Sequence, residues 1–177
     1  LILAGPNKGN LRERVLGLLE EKGKRCRCIR CREVGHRRMR DNVEPFIEQV
    51  SLIRTVYESS AGSEIFLSQE DPTTDTLIGY LRLRIPSEYA HRTEIISGPS
   101  SMVRELHVYG PVVPIGEHDR NAWQHKGYGG SLLGEAERLS REDYDVKKIL
   151  ILSAIGTKEY YMRAGYSRDG PYMSKRL

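Results

Sequence analysis

The fold of this 177-residue chain is decided by Gln124-His125-Lys126-Gly127-Tyr128-Gly129. This stretch follows a β-like run and a loop, and it opens a helix-like run at residues 131–139. The first backbone N–H groups of a helix have no partner within the helix, and the helix dipole adds positive potential there, so the turn suits a pyrophosphate. Its Q-x-x-G-x-G spacing fits neither a Walker loop nor a dinucleotide fingerprint. From these six residues alone, an ordinary glycine-rich turn before a helix stays an alternative.

The chain after this stretch alternates helices and strands. Residues 130–143 have an apolar stripe at helical spacing, which predicts a helix. Residues 148–153 read KILILS, a nearly continuous apolar strand, as expected when both sheet faces are buried. With a strand predicted at residues 103–109, this gives a strand–helix–strand unit whose two strands are parallel and joined by a right-handed crossover. Thr157 is expected to cap a short helix that ends at Gly165.

The chain before this stretch has the period of β-strands. Alternating apolar residues predict strands near residues 50–56, 65–68 and 77–85, separated by short turns. Strands joined this closely form an antiparallel meander. Residues 86–102 read as a loop, and residues 28–34 read as a strand followed by a loop. The fold class is therefore α/β, with a mixed, mostly antiparallel sheet and flanking helices.

The beginning of the chain is strongly basic. Residues 1–40 hold twelve Lys or Arg and four Glu, a net charge of +8, in a chain whose net charge is +4. A basic arm on a mildly acidic body predicts a polyanion partner, most simply nucleic acid, and a solvated charged face is the alternative. Asn10 is expected to cap a helix there that ends at Gly23. No apolar run approaches the ~20 residues of a membrane span and no secretory signal is visible, so a cytoplasmic protein is expected. The lack of an initiator Met predicts that the chain is a fragment of a longer protein.

Three cysteines, Cys26, Cys28 and Cys31, lie inside this basic region, in a span of six residues. Followed by His36, they offer four ligands that suit tetrahedral Zn²⁺. The arginines around them are expected to lower the pKa values of the thiols, which favours metal binding. Free thiols are the alternative. An iron–sulfur site is less favoured because it usually requires a fourth cysteine. Disulfide bonding is less favoured because, with three cysteines, one thiol would remain unpaired.

The glycine turn and the elements after it resemble the GCN5-related N-acetyltransferase superfamily, in which such a loop binds the pyrophosphate of acetyl-CoA. In that superfamily the loop and its helix are followed by a buried strand, a short helix that often carries a tyrosine, and a glycine–aromatic pair. Here the order is residues 148–153, then Tyr160 and Tyr161, then Gly165-Tyr166. The resemblance covers roughly residues 77–177.

Three further segments resemble one family in particular, the catalytic subunit of Elongator. They are ELHVYG at residues 105–110, GPYMSK at residues 170–175 and REVG at residues 32–35. Members of that family are tRNA uridine(34) acetyltransferases with an upstream radical S-adenosylmethionine domain, whose iron–sulfur cysteines are not in this sequence. The resemblance implies a basic segment, residues 1–45, that leads from that domain, and an acetyl-CoA-binding domain, residues 46–177.

The resemblance also implies roles for particular residues. Tyr161, or Tyr160 beside it, would give a proton to the departing thiolate, and Glu105 or His107 would act as base or position an acceptor. Packing of the tyrosines and a structural role for the histidine are the alternatives. Cofactor contacts are expected from Glu105, Leu106, His107, Val108, Gln124, Lys126, Gly127, Tyr128, Gly129, Gly130 and Tyr161. Contacts with tRNA are expected from Arg25, Arg27, Arg30, Arg32, Arg37 and Arg38.

The reaction that the resemblance implies is the acetyl-CoA-dependent modification of C5 of the wobble uridine in tRNA, carboxymethyluridine synthesis. This fragment is not expected to complete the reaction without the radical domain. Two other functions stay open: a protein lysine N-acetyltransferase, which the same cofactor fold would serve, and a tRNA-binding module whose acetyltransferase fold is vestigial. The sequence does not determine the oligomeric state.

Overall fold

The structure is a computed structural model that describes residues 9–110 and 127–177. Within these ranges, seven strands form one sheet in the order β1-β2-β3-β4-β5-β7-β6. The strands are β1 (Ser51–Ser59), β2 (Gly62–Asp71), β3 (Thr76–Ile85), β4 (Ser100–Val108), β5 (Lys148–Ile151), β6 (Ser167–Asp169) and β7 (Tyr172–Arg176). Strands β4 and β5 pair in parallel, and the other neighbouring pairs of these seven are antiparallel. The predicted mixed, mostly antiparallel sheet is confirmed.

Six α-helices accompany the sheet in the described ranges. They are α1 (Leu11–Glu21), α2 (Ile29–Arg32), α3 (Val34–Asp41), α4 (Thr93–Ile96), α5 (Tyr128–Glu142) and α6 (Lys158–Arg163). None of these helices has the length and hydropathy that crossing a bilayer requires. Asn10 and Thr157 are the N-cap residues of α1 and α6, as predicted, but neither side chain makes a capping hydrogen bond to its helix.

The largest hydrophobic core lies between α5 and the sheet. The buried side of α5 carries the stripe that the sequence predicts, Leu132, Leu133, Ala136 and Leu139. These side chains pack against the buried residues Ile65, Leu67, Leu81, Leu83, Val103, Ile149, Ile151 and Met173 of the sheet. Burial of each large aliphatic side chain contributes about 1.5–3 kcal/mol. The packing therefore fixes α5 on the sheet and determines where its first turn lies.

The β2–β3 hairpin closes around a buried aspartate. The Asp71 carboxylate accepts hydrogen bonds from the backbone N–H groups of Phe46 at 2.9 Å and Thr73 at 2.8 Å, and from the Thr74 hydroxyl at 2.7 Å. Burial acts to raise the pKa of Asp71, but these hydrogen bonds favour the charged form more strongly, so its pKa lies below the ordinary value of 3.8. The turn continues through Asp75, whose φ of 53° is left-handed.

The strand predicted at residues 28–34 is wrong, because the structure has the two short helices α2 and α3 there. Glu33 separates them with an extended backbone. Its carboxylate accepts hydrogen bonds from the N–H groups of Gly35 at 2.9 Å and His36 at 2.8 Å, and thereby caps α3. The loop predicted at residues 86–102 is also too long, since it contains α4 and the first residues of β4.

Helices α2 and α3 of the basic segment pack onto the β2–β3 hairpin. Glu33 forms an isolated parallel bridge with Leu77, and Val34 packs against Ile78 in a second apolar cluster. The predicted division of the chain at residue 45 stays a prediction. What the structure adds is a buried contact between the two predicted parts.

Candidate active site and cysteine cluster

The parallel strands β4 and β5 pair over only four residues. Their ladder ends at the pair Val103 and Ile151, whereas β4 runs on to Val108. Because β5 ends at this pair, the two strands separate beyond it and leave a gap in the sheet. The cofactor contacts predicted from Glu105, Leu106, His107 and Val108 lie along this unpaired part of β4.

Three elements meet at this gap: the end of β4, the start of α5, and α6. A Cβ atom placed on Gly129 would lie 3.7 Å from Val108 Cγ2 and 3.1 Å from the Tyr160 hydroxyl oxygen. Helix α5 begins after Gly127, whose φ of 81° is in the left-handed region that glycine adopts without strain. The helix therefore directs its first-turn N–H groups and the positive end of its dipole toward this junction.

The predicted pyrophosphate loop is only partly within the described residues. Gln124 and Lys126 lie outside them, and their cofactor contacts stay predictions. Gly130 is on the exposed side of the first turn, where an added Cβ atom would meet nothing within 4 Å. That open space next to the helix start is available to a ligand.

The paired tyrosines of α6 occupy different environments. Tyr161 is only 7% exposed and packs in the main core, with its ring 6.0 Å from the ring of Tyr166. Tyr160 is 45% exposed, and its hydroxyl lies at the start of α5. Burial raises the pKa of both tyrosines, so both hydroxyls keep their protons at neutral pH. Of the two, Tyr160 is the one that presents a proton to the gap.

Glu105 and His107 lie on the face of the sheet opposite α5. The Tyr80 hydroxyl donates a short hydrogen bond to the Glu105 carboxylate, and Arg82 Nε lies 3.5 Å from Glu105 Oε2. The His107 ring is 6.1 Å from the Tyr80 ring and 4.4 Å from the Tyr109 ring, measured between centroids. Burial, and then the Glu105 charge, raise the pKa of Tyr80, which stays a donor. Tyr80 and Arg82 were missed at the sequence level because the β3–β4 register that brings them to Glu105 is not visible in a strand pattern.

The three cysteines come together as predicted. Their Sγ atoms all lie within 4.8 Å of one another, because Cys28 immediately precedes α2 and Cys31 lies in its only turn. A tetrahedral ion with Zn–S bonds of about 2.3 Å holds its sulfurs about 3.8 Å apart, so the three thiols fit Zn²⁺ after small shifts. The imidazole of His36 is not in this group; its Nε2 lies 3.7 Å from Glu33 Oε1.

The thiols differ in how readily they ionise. Burial acts to raise the pKa of Cys28, but hydrogen bonds from the Cys31 backbone, the Cys26 thiol and the Arg12 guanidinium lower it to about 6. For Cys26 the predicted lowering is wrong: a backbone hydrogen bond from Cys28 lowers its pKa, but the neighbouring thiols outweigh this, and the pKa is raised. A negative charge on one sulfur disfavours ionisation of the next thiol, and a bound divalent cation would reduce this repulsion.

The arginines predicted to contact tRNA are largely paired with carboxylates. Arg32 contacts Glu70 and lies 3.2 Å from Asp75, and its side chain is 15% exposed. Arg37 is 5% exposed and is held by Asp41. The other pairs are Arg25–Asp41, Arg27–Asp75 and Arg38–Glu44. Arg30 is exposed, and no ion pair joins it to a carboxylate of the described residues. The count of positive charges in the sequence did not show these acidic partners, which come from the hairpin and from the end of α3.

Comparison with known proteins extends over the whole chain. Elongator complex protein 3 of Schizosaccharomyces pombe is 48% identical over 177 residues, which is 100% of this chain and 32% of that protein. The tRNA uridine(34) acetyltransferase of Methanocaldococcus jannaschii is 47% identical over 178 residues, which is again 100% of this chain and 32% of that protein. The solved structure of archaeal Methanocaldococcus infernus Elp3 with an N-terminal deletion has 47% identity and a TM-score of 0.85, over 99% of this chain and 41% of that chain.

This chain belongs to the Elongator catalytic-subunit family. It spans about a third of the length of the curated relatives it matches. The agreement with the archaeal Elongator structure shows that this chain has the fold of that protein, and the predicted mixed α/β fold is confirmed. No profile of a known protein family matches the chain.

Proposed function

We propose that this chain is the acetyl-CoA-binding acetyltransferase domain of an enzyme that modifies C5 of the wobble uridine, U34, of tRNA. The relatives named above are Elongator complex protein 3 and tRNA uridine(34) acetyltransferase. Their greater length leaves room for the upstream radical S-adenosylmethionine domain, with its iron–sulfur cluster, that carboxymethyluridine synthesis requires. The proposal places the whole enzyme in the cytoplasm, and this chain alone would not complete the modification.

One observation carries the acetyl-CoA part of the proposal: the meeting of the β4 end, the start of α5 and the Tyr160 hydroxyl at the gap between β4 and β5. A thioester in this gap would have its carbonyl beside the β4 backbone. The pyrophosphate would lie at the first turn of α5, where N–H groups and the helix dipole favour an anion. The thioester carbonyl would thus lie near backbone N–H groups of β4, and the pyrophosphate near the N–H groups of α5.

The residues at the gap can move the protons that thioester chemistry needs. Attack on the carbonyl builds negative charge on its oxygen, which a fixed N–H group of β4 would stabilise. The Tyr160 hydroxyl would protonate the departing thiolate, because its raised pKa keeps the proton in place until then. On the opposite face, the Glu105 carboxylate, oriented by Tyr80, would accept a proton from the attacking water or acceptor.

The pyrophosphate site can be tested with one methyl group. Gly130→Ala adds a Cβ atom to open space on the first turn of α5, and Gly134→Ala adds one to equally open space on the same helix. Both variants should be as stable as the parent or more so, since alanine is favoured over glycine in a helix. We expect Gly130→Ala to weaken acetyl-CoA binding at least tenfold in calorimetry, and Gly134→Ala to leave it unchanged. Equal affinities would place the pyrophosphate elsewhere.

The acceptor is tested by following CoA release from acetyl-CoA with tRNA, with a lysine-rich peptide, and with neither. Release that tRNA stimulates and peptide does not would support the proposed function. Acetyl transfer to the peptide would indicate a protein lysine N-acetyltransferase. Cofactor binding without release would mean that the upstream domain is needed, and tRNA binding without cofactor binding would indicate a tRNA-binding module with a vestigial fold.

We also propose that Cys26, Cys28 and Cys31 hold a structural Zn²⁺. Zinc would offset most of the negative charge that the three sulfurs share and would hold α2 in place. The fourth ligand is not among the residues that the structure groups with the cysteines, and the predicted His36 would have to leave Glu33 to reach it. Elemental analysis of protein purified without added metal is expected to find one zinc per chain, and Cys31→Ser, which removes the buried ligand, is expected to lose it.

A further inference from the structure

Helix α1 is attached to the cysteine cluster through Arg12. The Arg12 guanidinium places Nη2 3.1 Å from Cys31 Sγ, and both Nη1 and Nη2 3.8 Å from Cys28 Sγ. These contacts bridge residues that are 19 and 16 positions apart in the chain. A guanidinium has donors and no acceptor, so Arg12 cannot be a metal ligand; it contacts the sulfurs from outside.

Little else holds α1. The helix has no buried residue. Leu16 and Leu19, which share the side of α1 that carries Arg12, line a groove of about 470 Å³ together with Cys26 and Cys31. Three other apolar residues of the helix, Leu11, Val15 and Leu18, are exposed instead. The cysteine cluster is therefore the surface on which α1 rests.

Charge explains why an arginine lies there. Zn²⁺ with three thiolates carries a net charge of −1, and a nearby cation offsets it. Arg40, the other arginine near Cys31, is already occupied by both oxygens of Asp41 at 2.8 Å. No carboxylate in the described ranges forms an ion pair with Arg12, so its charge is available to the sulfurs.

We propose that Arg12 is a positioning residue for the metal site: it donates hydrogen bonds to the metal-bound sulfurs of Cys28 and Cys31, and metal loading thereby docks α1. This inference rests on the zinc site proposed above and goes beyond it, because it makes the position of a helix depend on the metal. Hydrogen-bond donors around metal ligands typically change metal affinity 10–100-fold when removed.

The test compares Arg12→Gln with Arg14→Gln, which removes the same charge from an exposed arginine on the same helix turn. Zinc affinity is measured by competition with a chelator at neutral pH. Hydrogen exchange of residues 11–21 is measured with and without zinc. We expect Arg12→Gln to bind zinc about 10–100-fold more weakly and, even at saturating zinc, to gain no protection in α1. Arg14→Gln should match the parent in both measurements, and Arg12→Lys, which keeps the charge without the fork, should fall between.

The proposal is overturned if Arg12→Gln matches Arg14→Gln in zinc affinity and in protection of α1. It is also overturned if the parent chain takes up no zinc, or if zinc adds no protection to α1 in the parent. Acetyl-CoA binding measured on the same samples separates these outcomes from failure of the acetyltransferase proposal, and it also shows whether each variant is folded.

Discussion

The Arg37 guanidinium donates a 2.8 Å hydrogen bond to the backbone carbonyl of Thr74, 37 residues further along the chain. The same guanidinium is held by Asp41. The contact joins the buried side chain of Arg37 in α3 to the partly buried turn of the β2–β3 hairpin. An arginine that was predicted to contact tRNA thus stabilises the fold.

Arg37→Ala is expected to lower the free energy of unfolding by about 2–4 kcal/mol, because it leaves the Thr74 carbonyl without its buried partner and weakens the Asp41 pair. Arg38→Ala, which removes an exposed pair with Glu44, should change it by less than about 0.5 kcal/mol. Urea denaturation of both variants checks this. Equal stability of the two would show that the Arg37 contact contributes nothing.

Asp71→Asn is expected to cost about 1–3 kcal/mol at pH 7, because an amide cannot accept all the hydrogen bonds that the carboxylate accepts. The pKa of Asp71 is lowered in the folded state, so the carboxylate stabilises the protein above its unfolded pKa of 3.8, and this stabilisation is lost as the pH falls below that value. The difference between parent and variant should therefore shrink between pH 4 and pH 3. Denaturation midpoints at pH 7, 4 and 3 measure it, with the exposed Asp145→Asn as control. A difference that is constant over this range would contradict the assignment.

Tyr160→Phe is expected to reduce the rate of CoA release about 100-fold with little change in acetyl-CoA affinity, because it removes the proton donor and keeps the ring. Tyr161→Phe should leave the rate near that of the parent, since the Tyr161 ring packs in the main core and the Tyr160 hydroxyl is the one beside the start of α5. Where the chain alone releases no CoA, the rates are measured with the upstream domain present. A large effect at Tyr161 instead would assign the proton donor to the residue that the family resemblance ranks first.

Arg30→Gln is expected to weaken tRNA binding and to reduce the slope of log K against log salt by about 1, which corresponds to one lost phosphate contact. Arg168→Gln removes the same charge from the exposed strand β6 and should leave both quantities unchanged. Electrophoretic mobility shifts at several salt concentrations measure the slope. If both variants behave alike, the basic segment does not direct tRNA binding.

The glycine turn, the apolar stripe of α5 and the KILI strand predicted much of this fold, because each is a local pattern whose period or spacing has one structural meaning. Leu132 and Leu139 had to lie on one side of a helix, and Ile149 and Leu150 had to be buried on both sides of a strand. The cysteine cluster was predictable for the same reason: the ligands are close in sequence.

What could not be predicted depends on contacts between distant residues. The charge of Arg32 is neutralised by Glu70, and Tyr80 reaches Glu105 only through the register of β3 and β4. Glu33 was read as part of a strand, although its carboxylate caps α3, because the cap depends on backbone geometry rather than on apolar period.

The gap between β4 and β5 makes both sides of the sheet accessible to one ligand. Tyr160 lies on the α5 side of β4, and Glu105 lies on the other side, against Tyr80. A thioester held in the gap would be approached by an acid from one side and by a base from the other. The strand keeps the two groups from hydrogen bonding to each other, so neither would consume the other's proton before the substrate arrives. If β5 paired with all nine residues of β4, a ligand could reach only one of these groups. Because only four residues of β4 are paired with β5, both groups can be reached.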